Sequence, residues 1–91
     1  MFTMNSRIKP GDIVRHFKYQ DCPNSVNYMT YKVICFGNHS ETNEKMVCYQ
    51  ALYGEYKICI RPYEMFMSER DTEKYPDYIQ KYRFEVIHRG E

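Results

Sequence analysis

The sequence lacks tryptophan entirely and holds a single alanine, Ala51, against ten tyrosines. With the best helix former nearly absent and aromatic residues plentiful, the prior moves toward sheet. Neither sign of charge is in excess: 13 Lys and Arg face 12 Asp and Glu, a formal net charge of +1. Nothing is left over to neutralise a long phosphate backbone, which disfavours non-specific nucleic-acid binding. No apolar run approaches the roughly 18 residues of a membrane-spanning helix. Met1 to Pro10 also holds no apolar core of a signal peptide, so the cytoplasm is the expected compartment, with no membrane partner.

The absences extend to chemistry. The four cysteines, Cys22, Cys35, Cys48 and Cys59, stand 13, 13 and 11 positions apart with no C-x-x-C pair, whereas zinc sites use closely spaced ligand pairs. Three of them sit in strand-like segments as small apolar residues would, so they are read as reduced thiols and no structural metal is expected. Four scattered glycines cannot present the consecutive amides that cradle a phosphate. Glu41, Glu44, Glu55 and Glu64 have no spacing that pairs them for hydrolysis, and no cofactor is expected.

What is present is a series of short strand signals in 91 residues, the length of one domain. A domain this small buries a limited core, so modest stability or weak self-association is expected. Pro10-Gly11-Asp12 is turn chemistry, and Ile13 to Phe17 alternates as a first strand. Asp21 to Asn27 collects turn formers. Tyr31 to Phe36 is β-branched and aromatic and ends at Gly37-Asn38; after a polar stretch through Lys45, Met46 to Leu52 resumes the pattern. Those two strands enclose a long, chemically decorated hairpin loop. Tyr53-Gly54-Glu55 turns the chain into a fourth strand, Tyr56 to Ile60. Arg61-Pro62 ends it and begins a short turn through Phe66. Tyr78, Ile79 and Tyr82 fall at i, i+1 and i+4, predicting one or two helical turns over 76–82. Phe84 to His88 alternates as a fifth strand. This element order predicts a mainly β fold: a small, five-stranded, SH3-like, partly open barrel with a short 3-10 turn and one short helix near the C-terminus. An oligonucleotide-binding barrel has similar ingredients.

Several blocks, in order, resemble the domain-of-unknown-function 1653 family. They are Gly11-Asp12-Ile13-Val14-Arg15-His16-Phe17-Lys18, Tyr31-Lys32-Val33, His39-Ser40-Glu41-Thr42 with Glu44, Val47, Tyr49-Gln50-Ala51-Leu52-Tyr53-Gly54, Arg61-Pro62 and Met65-Phe66. The resemblance covers residues 11–67 and implies an SH3-like barrel and a bacterial cytoplasmic protein; it implies no activity. Residues 19–30 are longer than the tight turn usual there, and residues 68–91 form an extension beyond the blocks, including the last expected strand.

The candidate site residues are His39, Ser40, Glu41 and Thr42 in the hairpin loop, with Tyr49, His16, Arg61 and Glu64. His39 beside Ser40 invites a general-base reading, but adjacent residues rarely reach the required geometry, and catalytic triads are normally assembled from distant segments. The alternative is that these side chains close the loop through backbone groups. Arg61 is the choice for a bidentate anion contact, against an internal ion pair with Glu64 or Glu41. His16 alternates with Arg15, so one faces outward. Tyr49 and Tyr53 share parity and suit either a stacking face or the core. The leading expectation is a non-enzymatic module binding a short peptide or small anionic ligand. A small hydrolase using His16 or His39 with Glu41 or Glu64 is the second, and a nucleic-acid-binding barrel the third.

Overall fold

A computed structural model describes residues 7–90; positions 1–6, which include most of the segment read for a signal peptide, and position 91 lie outside the described residues. Five strands form one antiparallel sheet: β1 (Ile13–His16), β2 (Thr30–Asn38), β3 (Lys45–Ala51), β4 (Ile58–Pro62) and β5 (Phe84–His88). Their order is β4-β3-β2-β1-β5, so the edges β4 and β5 do not pair and the barrel stays partly open. Bulges at Ile34 on β2 and at Ile87 on β5, opposite Ile13 and Val14, supply local bends of the kind that let a sheet curl.

The opening is bridged by side chains. Pro62 fixes φ at −56° and leads into α1 (Tyr63–Met67), the turn expected from Arg61-Pro62. From α1, Phe66 reaches across to β5 and stacks on Phe84, with ring centroids 4.1 Å apart and planes at 9°. Phe84 also meets Tyr31 and Tyr49 edge-on. These rings join Ile8, Val14, Val33 and Val47 in the buried core. Aromatic pairs of this kind add about 0.5–1.5 kcal/mol beyond their burial.

Two differences from the sequence reading concern short elements. A 3-10 turn (Phe17–Asp21) follows β1 directly, capped by His16, whose Nδ1 accepts a hydrogen bond from the Lys18 amide at 3.1 Å. No helix forms over 76–82, because the three residues that suggested one do not share a face. Tyr78 packs on Phe17, Tyr82 lies beneath the Arg7 guanidinium, and Ile79 is 84% exposed. The backbone there bonds outward instead: Arg70 N–H donates to Lys81 O, Arg83 N–H to Ser68 O, and Ile79 N–H to the Gln20 side chain.

A second tie binds the chain ends of the sheet together. Asp12 is 2% exposed and accepts from the Lys9 amide (2.9 Å), the Gly90 amide (3.0 Å) and Arg89 Nη1 (2.9 Å). Gly11 takes φ +95°, and a Cβ on Gly90 would collide with the Gly11 backbone, so the two glycines permit this close approach.

Candidate functional site

The alternation of β4 separates the expected site residues into two groups. Ile60 points to the outer face and is 66% exposed, whereas Arg61, one residue on, lies half-buried on the core side. The hairpin loop flanks the outer face, where His39 shares a groove with Met46 and Ile60. Arg61 instead joins Tyr49 and, through the aromatic core, His16.

Within the loop, His39 acts on its own backbone. Its Nδ1 accepts from the Glu41 amide at 3.1 Å and from the Thr42 amide at 3.3 Å. The Thr42 hydroxyl accepts from the Glu44 amide, and the His39 amide donates to Glu44 O at 2.8 Å. Asn43 completes the turn with φ +64°, a conformation Asn tolerates better than most residues. The nitrogen nearest Ser40 in sequence is therefore committed to amide protons. Ser40 and Glu41 are exposed.

On the core side, Arg61 Nε donates to the Tyr49 hydroxyl at 3.1 Å, and its Nη1 contacts Met65 Sδ at 3.4 Å. Neither Glu64, exposed on α1, nor Glu41 pairs with it; among the described residues no carboxylate forms an ion pair with Arg61, Arg83 or Lys18. Tyr49 is 4% exposed, so its ring belongs to the core and its hydroxyl positions Arg61. Tyr53 meets the Tyr28 and Tyr31 rings edge-on, and its hydroxyl lies 2.8 Å from that of Tyr31.

His16 sits where these elements meet. Its ring stacks on Phe17 at 4.4 Å and meets Phe84 edge-on at 5.1 Å. Burial, and then the charges of Arg83, Arg61 and Lys18, lower its pKa from the usual 6.5 to about 4. Arg83 arrives through β5: His16 pairs with Phe84, and the Phe17 amide donates to Arg83 O at 3.1 Å. Lys18 lies over the Tyr75 ring at 4.7 Å and, by hydrogen bonding, lowers that phenol's pKa. The three positive charges and the burial together disfavour a proton on the imidazole, which stays neutral.

The lowered His16 pKa has a consequence for folding. Between about pH 6.5 and pH 4 the unfolded chain binds a proton that the folded chain refuses, so stability declines as pH falls through that window and levels off below it. Thermal melts at pH 7 and pH 4.5 should show this decline in the native chain and a smaller one in His16→Gln. An equal decline in both would place the acid sensitivity elsewhere.

Arg83 and Lys18 were not among the residues singled out from the sequence. Lys18 stands two positions from His16, but Arg83 lies in the C-terminal extension, and only the β1–β5 register brings it near.

The strands define a small, mainly β, partly open barrel. The chain belongs to the family described as a protein of unknown function (DUF1653), whose model matches residues 12–86. That match extends past the blocks at 11–67 and takes in most of β5. No curated protein and no solved structure matches the chain. Among the described residues no helix is long and apolar enough to cross a membrane.

Proposed function

We propose that this protein is a non-enzymatic binding module whose cluster of Arg61, Arg83, Lys18 and His16 receives a small anionic ligand, either free or as the carboxylate of a short peptide. What supports it is that Arg61, Arg83 and Lys18, whose charges act on the half-buried His16, are paired with no carboxylate among the described residues. A charge held on a folded surface usually finds an internal counter-ion, and among the described residues these three have none. Arg61, held by Tyr49, offers its remaining guanidinium N–H groups to an oxygen anion. The family resemblance adds the expectation of a bacterial cytoplasmic setting.

A thermal-shift screen tests this with inorganic phosphate, nucleotides, small carboxylates, short peptides and oligonucleotides. A ligand at 100 times its Kd adds about 2.7 kcal/mol, visible in a domain this small. One anionic class should raise the midpoint, and Arg61→Ala should weaken its binding about 10- to 100-fold, the loss of one charge-assisted hydrogen bond. His39→Ala should retain the binding. Retention in Arg61→Ala with loss in His39→Ala would move the site to the hairpin loop.

A further inference from the structure

On the outer face of the sheet, away from Arg61, β2 and β3 set Cys35 directly opposite Cys48. Both are free thiols; Cys35 is exposed and Cys48 half-buried. They share the shallow groove of about 250 Å³ that also holds His39, Met46 and Ile60. Residues directly opposed in an antiparallel pair have Cα atoms about 4.5–5.5 Å apart, inside the 4.4–6.8 Å that a disulfide spans. The register therefore meets the Cα condition for a disulfide. Burial first, and then the neighbouring Cys35, raise the Cys48 pKa. Gly37, next along β2 on the same face, has open space where a side chain would stand, which leaves the pair accessible.

We propose that Cys35 and Cys48 form a reversible two-electron redox pair that reacts with a low-molecular-weight disulfide of the glutathione type. Cys35, the more exposed, loses its proton to solvent, and its thiolate attacks one sulfur of the disulfide. An S–S bond forms to Cys35 while the other half leaves as a thiolate and takes up a proton. Cys48 then loses its proton and attacks Cys35 Sγ, releasing the second small thiol. The two cysteines together give up two electrons and two protons, and the small disulfide becomes two thiols. The product ties the base of the hairpin that carries His39–Glu44 and fixes the adjacent bulge between Val33 and Cys35. Cys22, exposed in a loop, has no thiol opposite it, and Cys59 packs against the core.

The test uses the full, reduced chain incubated with oxidised glutathione, quenched with a maleimide and digested with trypsin. Cleavage after Lys32, Lys45 and Lys57 puts Cys35 and Cys48 on separate peptides. The expected product is those two peptides joined, with no glutathione on either, and separated again by dithiothreitol. Cys48→Ser should stop at glutathione bound to Cys35. The proposal is overturned if the native chain retains glutathione on Cys35 with Cys48 alkylated, or if both thiols remain fully alkylated. The peptide map of the native chain alone separates these outcomes, whatever the folding of the variant.

Discussion

Phe84→Ala should cost about 3–5 kcal/mol of folding stability, the usual range for removing a buried aromatic ring. Phe84 is 1% exposed and is the ring through which the open edge of the barrel is held: Phe66 stacks on it from α1, and Tyr31, Tyr49 and His16 meet its edges. No backbone ladder joins β4 to β5; beside the ring stack, the gap is spanned by the Arg7 guanidinium, which donates to Met67 O and Phe84 O, and by the Arg83 amide on Ser68 O. At about 0.05–0.15 kcal/mol per residue the whole domain holds on the order of 5–14 kcal/mol, and the loss is a large part of it. Urea unfolding checks this, with Phe84→Leu expected to recover most of the difference because it keeps much of the volume. A loss below about 1 kcal/mol for Phe84→Ala would mean that the aromatic bridge does not hold the edge.

Asp12→Ala should be the next most damaging change, at about 3 kcal/mol. It strands the amides of Lys9 and Gly90 and the Arg89 guanidinium together, and buried donors left without an acceptor cost about 1–3 kcal/mol each. Arg89 is 58% exposed and can turn to water, so the amides carry most of the cost. Burial alone would raise the Asp12 pKa; the Gly90 and Lys9 amides and Arg89 outweigh it and lower it. The carboxylate therefore contributes stability at neutral pH that is lost as pH falls through its lowered pKa, below the window in which His16 acts. With about 4–8 °C per kcal/mol in a domain of this size, the melting temperature should drop by more than about 10 °C. Asp12→Ala should also lessen the loss of stability below pH 4, and a variant that melts as the native chain does would sink this account of the tie.

The strands were legible because each carried its own local signal. Tyr31 to Phe36 is continuous and β-branched, Phe84 to His88 alternates, and Pro62 announces α1; all three lie where those signals place them. What escaped was set by contacts between distant residues. Asp12 reads as turn chemistry until Arg89, 77 positions away, folds back onto it. Tyr78, Ile79 and Tyr82 have helical spacing, yet Arg70 and Gln20 recruit the backbone around them. The candidate site was half legible for the same reason. His16, Arg61 and Tyr49 were singled out by residue type, but local pattern could not say that the β1–β5 register brings Arg83 beside the end of β1 or that the His39 loop flanks the opposite face of the sheet.

The most direct test of the anion site is the His16 imidazole resonance, followed by NMR through a pH titration with and without inorganic phosphate or a small carboxylate that scored in the thermal screen. The account predicts a pKa near 4 without ligand and a saturable upward shift with it, because an anion among Arg61, Arg83 and Lys18 offsets the charges that hold the proton off. The shift should be lost in Arg61→Ala. An unmoved His16, or a shift that persists unchanged without Arg61, would contradict it.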